Sequence, residues 1–323
     1  MGALLLLVAA ALWGSAFVAQ KLCGEHLGPF AVTFLRNLIG GAFIYACFRL
    51  RLRFFGRAGI PAGARRSFSA RAFLGGGLCG AVLLAASLSQ QIGIVHTSPG
   101  VSAFLTSNYM LLIPVFGFFI GRPVRAAVWL CVAMAVAGSY LICIESGAAG
   151  FSLGRGEAWT LLCAALFAVQ VLCVDRFAPS TDVLAFSCVQ QFAGAVLALP
   201  FVFLPSERAL FTSSNLLAAA WPVVYIAVFS SGIAFTLQNF GQVRTPPAIA
   251  AVIMSLESAI GAACGYIVFG DVLSARQIVG CALMLLAVVL SQILPARQKQ
   301  KSPRPPSQEY GKIQPCMKGN DNG

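Results

Sequence analysis

The stretch QQIGIVHTSPGVSAFLTSNYMLLIPVFGFFIG at residues 90–121 has a counterpart in QNFGQVRTPPAIAAVIMSLESAIGAACGYIVFG at residues 238–270. Each stretch begins with glutamine, glycine and threonine in the same order, as Gln90, Gly93 and Thr97 and again as Gln238, Gly241 and Thr245. Further along, Asn108 falls opposite Glu257 with a shift of one residue. Self-similarity at a fixed period, here about 150 residues, predicts that the chain consists of two copies of one structural unit.

The amino-acid composition excludes an ordinary soluble protein. The chain has 323 residues, of which 59% are hydrophobic and only 10% charged, and its mean hydropathy is +0.84. Soluble domains carry roughly 25% charged residues. A chain of this length with so few charges has too little polar surface to face water on all sides. We therefore expect an integral membrane protein with the lipid bilayer as its solvent.

Apolar stretches of membrane-spanning length recur along the chain. A spanning helix needs about 20 predominantly apolar residues. The sequence contains ten such stretches, at residues 2–21, 30–49, 72–92, 99–120, 126–145, 157–174, 182–204, 218–240, 247–269 and 275–294. Because each copy holds five spans and five is odd, equivalent helices cross the membrane in opposite directions. The predicted fold is all-α and integral to the membrane, with ten transmembrane helices as two inverted five-helix repeats at residues 1–145 and 150–294.

The basic residues are distributed unevenly between the two sides of the membrane. The net charge is +12, from 22 Lys and Arg and 10 Asp and Glu. With ten spans, 17 cations lie on the side of both termini, 4 lie on the opposite side, and Arg36 lies within the second span. The positive-inside rule then places both termini in the cytoplasm, with the chain in the cell (inner or plasma) membrane. The excess charge is an orientation signal, so no nucleic-acid partner is expected. Residues 295–323, rich in Pro, Lys, Gln and Ser, are expected to form a disordered basic cytoplasmic tail.

Several short motifs occur in a defined order between residue 1 and about residue 294. They are Leu12-Trp13-Gly14-Ser15, Phe34-Leu35-Arg36, Gly93-Ile94 to Thr97-Ser98, Ala103-Phe104-Leu105-Thr106, Leu256-Glu257 and Phe269-Gly270-Asp271. Together they resemble the EamA-like family of the drug/metabolite transporter superfamily. Ser258 stands where that family commonly has Pro, and Arg122 where it commonly has an acidic residue. The resemblance implies a ten-helix permease that moves small metabolites, often outward, with a central cavity between its halves.

Glu257 is an acidic residue inside a predicted span. A charge in the hydrocarbon region costs at least about 2.5–3.5 kcal/mol on insertion scales, so it calls for a specific reason. Glu257 lies ten residues beyond Pro247, near the midplane at about 1.5 Å of rise per residue. Asn108, its counterpart, is also central. We predict that both contact the substrate and that Glu257 couples transport to a proton gradient; the alternative is a hydrogen-bonded structural carboxyl.

Arg36 is the second charge inside a span, and three roles stay open for it. It binds a substrate carboxylate or phosphate, it reaches the headgroups, or it pairs with Glu257. Gln90 and Gln238 occupy equivalent places near opposite membrane faces, where they act as gates of alternating access or as amide contacts between helices. Gln190 adds an amide that could line a polar cavity. Trp13, Tyr109 and Tyr266 either stack on a flat ligand or pack against neighbouring helices.

These observations predict a secondary active transporter (permease or exporter) of small metabolites that works by alternating access, with proton coupling as an option. The alternatives are a membrane enzyme acting on lipid-linked substrates, which requires acids or histidines clustered at a membrane face, and a non-transporting multi-span receptor or channel, which leaves the duplication unexplained. No enzymatic activity, cofactor or metal is expected, because nine of the eleven cysteines lie in apolar runs and no P-loop is present. The expected partners are a small-molecule substrate and the bilayer, and a homodimer is left open.

Overall fold

The computed structural model describes residues 1–55, 68–97, 99–121, 124–143, 154–269 and 274–294, and every regular element within them is a helix. The α-helices are α1 Gly2–His26, α2 Pro29–Phe55, α3 Ala70–His96, α4 Pro99–Ser107, α5 Tyr109–Phe119, α6 Ala126–Cys143, α7 Arg155–Phe177, α8 Val183–Val202, α9 Pro205–Leu210, α10 Ser213–Ala218, α11 Ala220–Tyr225, α12 Phe235–Gln242, α13 Pro247–Met254, α14 Glu257–Phe269 and α15 Ala275–Ile293. A 3-10 turn at Ala178–Ser180 follows α7, and a π-helix at Ile226–Ala234 joins α11 to α12. The predicted tail at residues 295–323 lies outside the described residues.

Among the described residues, seven helical stretches are long and apolar enough to cross a membrane. They are Gly2–His26, Pro29–Phe54, Ala70–His96, Val101–Phe119, Arg155–Ser180, Val183–Val202 and Ala220–Gln242. Three shorter apolar helices follow the same pattern at Ala126–Leu141, Pro247–Gly261 and Ala275–Ser291. The chain is therefore an all-helical, multi-pass membrane protein. The predicted total of ten is reached only when the three shorter helices are counted, so that number stays a prediction.

Two of the predicted spans are interrupted helices, at equivalent places in the two halves. Asn108 separates α4 from α5, and residues 255–256 separate α13 from α14. In the second break the backbone N–H of Leu256 bonds to the carbonyl of Ile253, three residues back, so the chain leaves the α-helical pattern. The break occurs although Ser258, and not Pro, follows Glu257. As a result Glu257 is the first residue of α14, where the positive end of the helix dipole lies.

The helices α2 and α8, which are second in their respective halves, run antiparallel. Arg51, near the C-terminal end of α2, forms an ion pair with Asp182, the N-cap of α8. At the other end, the backbone N–H of Ala31 in the first turn of α2 donates to Glu207 Oε2 in α9, just after α8, at 3.0 Å. The N-terminal end of each helix therefore lies near the C-terminal end of the other.

The helices α1 and α7, which are first in their respective halves, also run in opposite directions. Lys21, near the C-terminal end of α1, donates from Nζ to the carbonyl of Ile94 at the C-terminal end of α3, at 2.9 Å. The same end of α3 contacts the N-terminal end of α7, where Thr97 Oγ1 donates to Glu157 Oε1 at 2.6 Å. The C-terminal end of α1 and the N-terminal end of α7 therefore lie at the same end of α3, so α1 and α7 run in opposite directions.

The backbones of α1 and α14 approach closely at Gly14, beside the carboxyl-bearing residue Glu257. A Cβ atom at Gly14 would lie 2.7 Å from the backbone oxygen of Glu257 and 2.9 Å from the backbone nitrogen of Gly261. No side chain fits there without moving one of the two helices. Small residues at such crossings are typical of packed membrane helices, because they allow backbone-to-backbone contact.

A methyl group at Gly14 is therefore expected to destabilise the bundle. Gly14→Ala should lower the free energy of unfolding by on the order of 1–3 kcal/mol, the usual cost of overpacking. The matched control is Gly77→Ala on α3, because a Cβ at Gly77 meets nothing within 4 Å. Thermal unfolding in detergent measures both variants. Equal melting temperatures for the two variants would contradict the close crossing.

Glu207 in α9 is a buried carboxyl outside the membrane-spanning segments, only 4% exposed. Burial raises the pKa of Glu207 above its ordinary value of 4.5, although the backbone N–H groups of Ala31 and Phe30 act in the opposite direction. A raised pKa means that the folded state binds this proton more tightly than the unfolded state. The stabilisation from Glu207 is thus fully present below pH 4.5 and is lost as pH rises through the raised pKa.

Glu207→Gln is accordingly expected to flatten part of the pH dependence of stability. Relative to this variant, the wild-type protein should lose melting temperature as pH rises above the ordinary carboxyl pKa, because only the wild type must release a proton from a buried site. Melting temperatures across the acidic range measure the difference. Glu25→Gln, at an exposed position, should leave the wild-type profile unchanged. Parallel profiles for wild type and Glu207→Gln would be the contrary result.

Candidate functional site

A buried cavity lies where the two halves meet. Helices α1 to α5 contribute lining residues from the first half, and α7, the π-helix, α12, α13 and α14 contribute from the second. The polar lining residues are Gln20, Arg36, Gln90, Thr106, Ser230, Gln238 and Glu257, and the others are Trp13, Phe17, Tyr109, Phe167, Val171, Phe235 and Met254. The volume of the cavity is about 30 Å³, far below the roughly 300–1,000 Å³ of small-molecule sites. A metabolite fits only if the surrounding helices move apart.

Arg36 projects from α2 into this cavity and is held by three neutral oxygens. Its Nε donates to Ser231 Oγ at 2.8 Å, its Nη2 to Ser230 Oγ at 2.9 Å and its Nη1 to Gln20 Oε1 at 3.2 Å. The residue is 3% exposed, so it faces the bundle and does not reach the headgroups. Among the described residues, no carboxylate lies within 4 Å of the guanidinium. Of the three predicted roles, the snorkelling and the ion pair with Glu257 are therefore wrong for this conformation.

The two serines that hold Arg36 lie on the π-helix at Ile226–Ala234. Short π-helical turns within α-helical spans are rare and are frequent at functional sites. The wider turn brings neighbouring side chains, Ser230 and Ser231, to the same guanidinium. The sequence prediction missed both serines. Their signal was an adjacent pair of hydroxyl residues in an otherwise apolar span, which by itself does not distinguish a ligand contact from helix packing.

Glu257 lines the cavity from the first position of α14 and is 4% exposed. Ser107 Oγ donates to its Oε1 at 3.4 Å, which is a long hydrogen bond. Ser107 and Ser258 share a hydrogen bond, and Ser139 donates to Ser258 Oγ at 3.2 Å. These hydroxyls from α4, α6 and α14 position the carboxyl and leave it with capacity to accept hydrogen bonds from a ligand.

The two amides that the repeat predicts also line the cavity. Gln90 Nε2 donates to Thr106 Oγ1 at 3.2 Å, and Gln238 Nε2 donates to Gln170 Oε1 at 3.1 Å. The structure thus brings together four of the six predicted site residues, which are Arg36, Gln90, Gln238 and Glu257.

The other two predicted residues are placed elsewhere. Asn108 does not line the cavity among the described residues, because its Nδ2 turns back to the carbonyl of Phe104 at 2.9 Å. Ser107, one residue earlier, is the residue of the first half that bonds to Glu257. Gln190 is buried between helices, where its Oε1 accepts from Asn239 Nδ2 at 2.9 Å. The structure therefore replaces Asn108 by Ser107 and assigns Gln190 to contacts between α8 and α12.

Aromatic rings form the remaining wall of the cavity. The ring centroids of Trp13 and Phe235 are 4.9 Å apart, those of Phe235 and Phe167 are 6.3 Å apart, and those of Phe167 and Tyr109 are 6.3 Å apart. The side chain of Tyr266, the third aromatic residue singled out from the sequence, lies outside the described residues. The cavity thus combines one guanidinium, one carboxyl, neutral amides and hydroxyls, and a continuous set of rings, which suits an organic ion.

No group of three or more His, Cys, Asp or Glu in the described part of the chain is placed to hold a metal ion. The chemistry that the described residues offer at the cavity is charge-assisted hydrogen bonding to an ionic ligand, together with contacts to ring faces.

Comparisons with known proteins give one consistent result. The EamA-like transporter family model matches residues 1–144 and again residues 154–292. An uncharacterized transporter of Archaeoglobus fulgidus is 26% identical over 286 residues, which is 88% of this chain and 83% of that protein. The uncharacterized transporter YetK of Bacillus subtilis is 25% identical over 319 residues, or 96% of this chain and 91% of that protein.

A crystal structure of a protein with 22% sequence identity matches with a TM-score of 0.70, over 92% of this chain and 98% of that one, which shows a shared fold. The family and the names of the relatives point to a transporter rather than to an enzyme. Because the family model matches most of the chain, once in each half, this protein belongs to the EamA-like family of the drug/metabolite transporter superfamily.

Proposed function

We propose that the protein is a secondary active transporter that moves a small organic solute by alternating access. The central cavity is the observation that carries the proposal. It is buried, both halves contribute to its walls, and it holds a cation and a carboxyl that both belong to predicted spans. Ionisable residues inside membrane segments are retained at substrate and ion pathways. A narrow, closed cavity between two halves is what a transporter requires between its two open states.

The proposed transporter consists of ten spans in two inverted repeats, residues 1–145 and 150–294. The antiparallel courses of α1 and α7 and of α2 and α8 support this arrangement, and so do the two separate family matches. The contacts between helices are also paired. The span Ala220–Gln242, which contains the π-helix and α12, is the third of the second half and corresponds to α3 in the first. α3 packs on α7 and α8, the first two spans of the other half, and α12 and the π-helix pack in turn on α1 and α2. Inverted repeats of this kind have two near-equal packings, open to opposite sides.

In the proposed orientation the chain lies in the cell (inner or plasma) membrane, and both termini are on its cytoplasmic side. It rests on the positive-inside rule. In this orientation the Arg51–Asp182 pair lies at the cytoplasmic end of the α2–α8 pair, and the contact between Glu207 and Ala31 lies at the outer end. Both contacts join α2 to the α8–α9 segment at its two ends, away from the cavity.

In the proposed binding mode, Arg36 receives the anionic group of the substrate. The guanidinium now bonds to neutral oxygens of Ser230, Ser231 and Gln20. Exchange of these neutral partners for a carboxylate adds the attraction between two opposite charges and allows a bidentate pair. Glu257 is the proposed coupling group, because its carboxyl shares the cavity and is free to gain or lose a proton as the cavity opens to either side.

Counterflow in proteoliposomes tests the proposal. Liposomes containing the purified protein are loaded with a mixture of small anionic, cationic and neutral metabolites, and exchange with an isotope-labelled external mixture is followed by mass spectrometry. We expect saturable, protein-dependent exchange of a subset of solutes without ATP. Empty liposomes are the control. No exchange of any solute, or a leak that does not saturate, would contradict a transporter with an alternating cavity.

A further inference from the structure

We propose that the substrate is a planar heteroaromatic carboxylate, a flat ring with one carboxylate and with hydrogen-bond donors and acceptors on its edge. This inference rests on the proposed function and assigns a substrate class to the same cavity. Three observations carry it: the continuous set of rings, the buried polar atoms without partners, and the guanidinium held only by neutral groups.

The rings provide a surface for a flat molecule. Trp13, Tyr109, Phe167 and Phe235 come from α1, α5, α7 and α12, so both halves contribute. The planes of Phe167 and Phe235 are only 18° apart. Aromatic faces favour offset stacking with another planar ring. An aliphatic solute of the same volume would leave these faces without a matching partner.

Three residues of the cavity wall carry a buried polar side-chain atom that has no hydrogen-bond partner within the part of the chain that the structure describes. These atoms are the indole Nε1 of Trp13, a donor, the phenol oxygen of Tyr109, a donor or acceptor, and Oε1 of Gln238, an acceptor. A buried polar atom without a partner raises the free energy of the site. A ring with both an acceptor and an N–H donor on its edge can pair with Trp13 and Gln238, whereas a purely carbocyclic ring leaves all three atoms unpaired.

The charges of the cavity define the rest of the molecule. Arg36 faces neutral oxygens and therefore favours one carboxylate on the ligand. Glu257 adds an acceptor in the same cavity, which favours ring N–H groups and disfavours a second negative charge. The two charged residues are not paired with each other, so each is available to a different part of one ligand.

Three probes of similar size separate these features. Orotate is a planar ring with one carboxylate, N–H donors and C=O acceptors; benzoate keeps the ring and the carboxylate without edge groups; uracil keeps the edge groups without the carboxylate. Thermal shift and counterflow with purified protein measure each probe. We expect orotate to bind and exchange, with benzoate and uracil weaker by at least about 10-fold, since a site built for hydrogen bonds rejects ligands that lack them.

Binding of benzoate as tight as that of orotate would overturn the substrate class, and so would the absence of orotate binding. Failure of the proposed function is a separate result. If the metabolite mixture exchanges while orotate does not, the proposed substrate class is wrong and the proposed transport function is retained. If no solute exchanges at all, both are wrong.

The hydrogen-bonding role of Trp13 has its own variant. Trp13→Phe keeps a ring and removes the N–H, so orotate binding should weaken by about 10-fold, while benzoate binding, which loses only ring contact, should weaken clearly less. Trp221→Phe, at a position that is 67% exposed and outside the cavity, is the matched control. Gln238→Met is the second variant, with the same expected selectivity, should the first fail to fold. Equal losses for orotate and benzoate would show a structural role only and overturn the assignment.

Discussion

Replacement of Arg36 by glutamine should lower transport of an anionic substrate by at least about 100-fold, because loss of one partner of a buried, hydrogen-bonded charge pair costs about 3 kcal/mol. The guanidinium is the one cation that lines the described cavity, and it already bonds to Gln20, Ser230 and Ser231. Glutamine is neutral and too short to reach all three oxygens. Initial rates of counterflow at several substrate concentrations measure the loss.

Arg36→Lys should retain part of the activity, because lysine keeps the charge but lacks the planar fork that meets several oxygens at once. Arg51→Gln is the matched control, since Arg51 is also a described arginine of α2 but bonds to Asp182, away from the cavity. It should change stability more than the transport rate. Wild-type transport rates in Arg36→Gln would contradict the proposal that the cavity lies on the transport pathway.

Glu257→Gln should abolish accumulation driven by a proton gradient and leave substrate exchange largely intact. Glutamine keeps the size of the side chain and its ability to accept from Ser107, but it cannot release a proton. Accumulation in proteoliposomes under an imposed pH gradient should fall by about 5- to 150-fold, which corresponds to typical coupling free energies of about 1–3 kcal/mol. Exchange without a gradient should stay within a few-fold of wild type.

Glu25→Gln, an exposed carboxyl outside the cavity, controls for the loss of an acid as such and should leave accumulation unchanged. Undiminished gradient-driven accumulation in Glu257→Gln would contradict the coupling role. It would leave the transporter itself in place, because exchange through the cavity is measured independently of the gradient.

The membrane class and the central charges could be predicted from the sequence because each depends only on the composition of a short stretch of the chain. Arg36 and Glu257 are conspicuous in a chain with only 10% charged residues, since each charge inside an apolar run needs a reason. The repeat then located Gln90 and Gln238 together. All four residues line the cavity.

The positions near helix breaks could not be predicted in the same way. The repeat aligns Asn108 with Glu257 with a shift of one residue. In an α-helix with 3.6 residues per turn, a shift of one residue changes the direction of the side chain by about 100°. The break between α4 and α5 therefore decides that Ser107 faces Glu257. The π-helix that brings Ser230 and Ser231 to Arg36 likewise has no signature in hydropathy, because it changes the turn and not the composition.

The measurement that tests alternating access most directly is the accessibility of one cavity position from each side of the membrane. Val171 lines the cavity and is buried, and Val171→Cys is nearly isosteric. A membrane-impermeant thiol reagent is applied from one side or the other of proteoliposomes, and modification at residue 171 is read by mass spectrometry, with Leu22→Cys as an exposed reference. We expect modification of residue 171 from both sides, more slowly from the outer side than at residue 22, which lies at the outer end of α1, and slower still with substrate. Modification of residue 171 from one side only, or from the outer side at the rate of the exposed reference, would contradict alternating access.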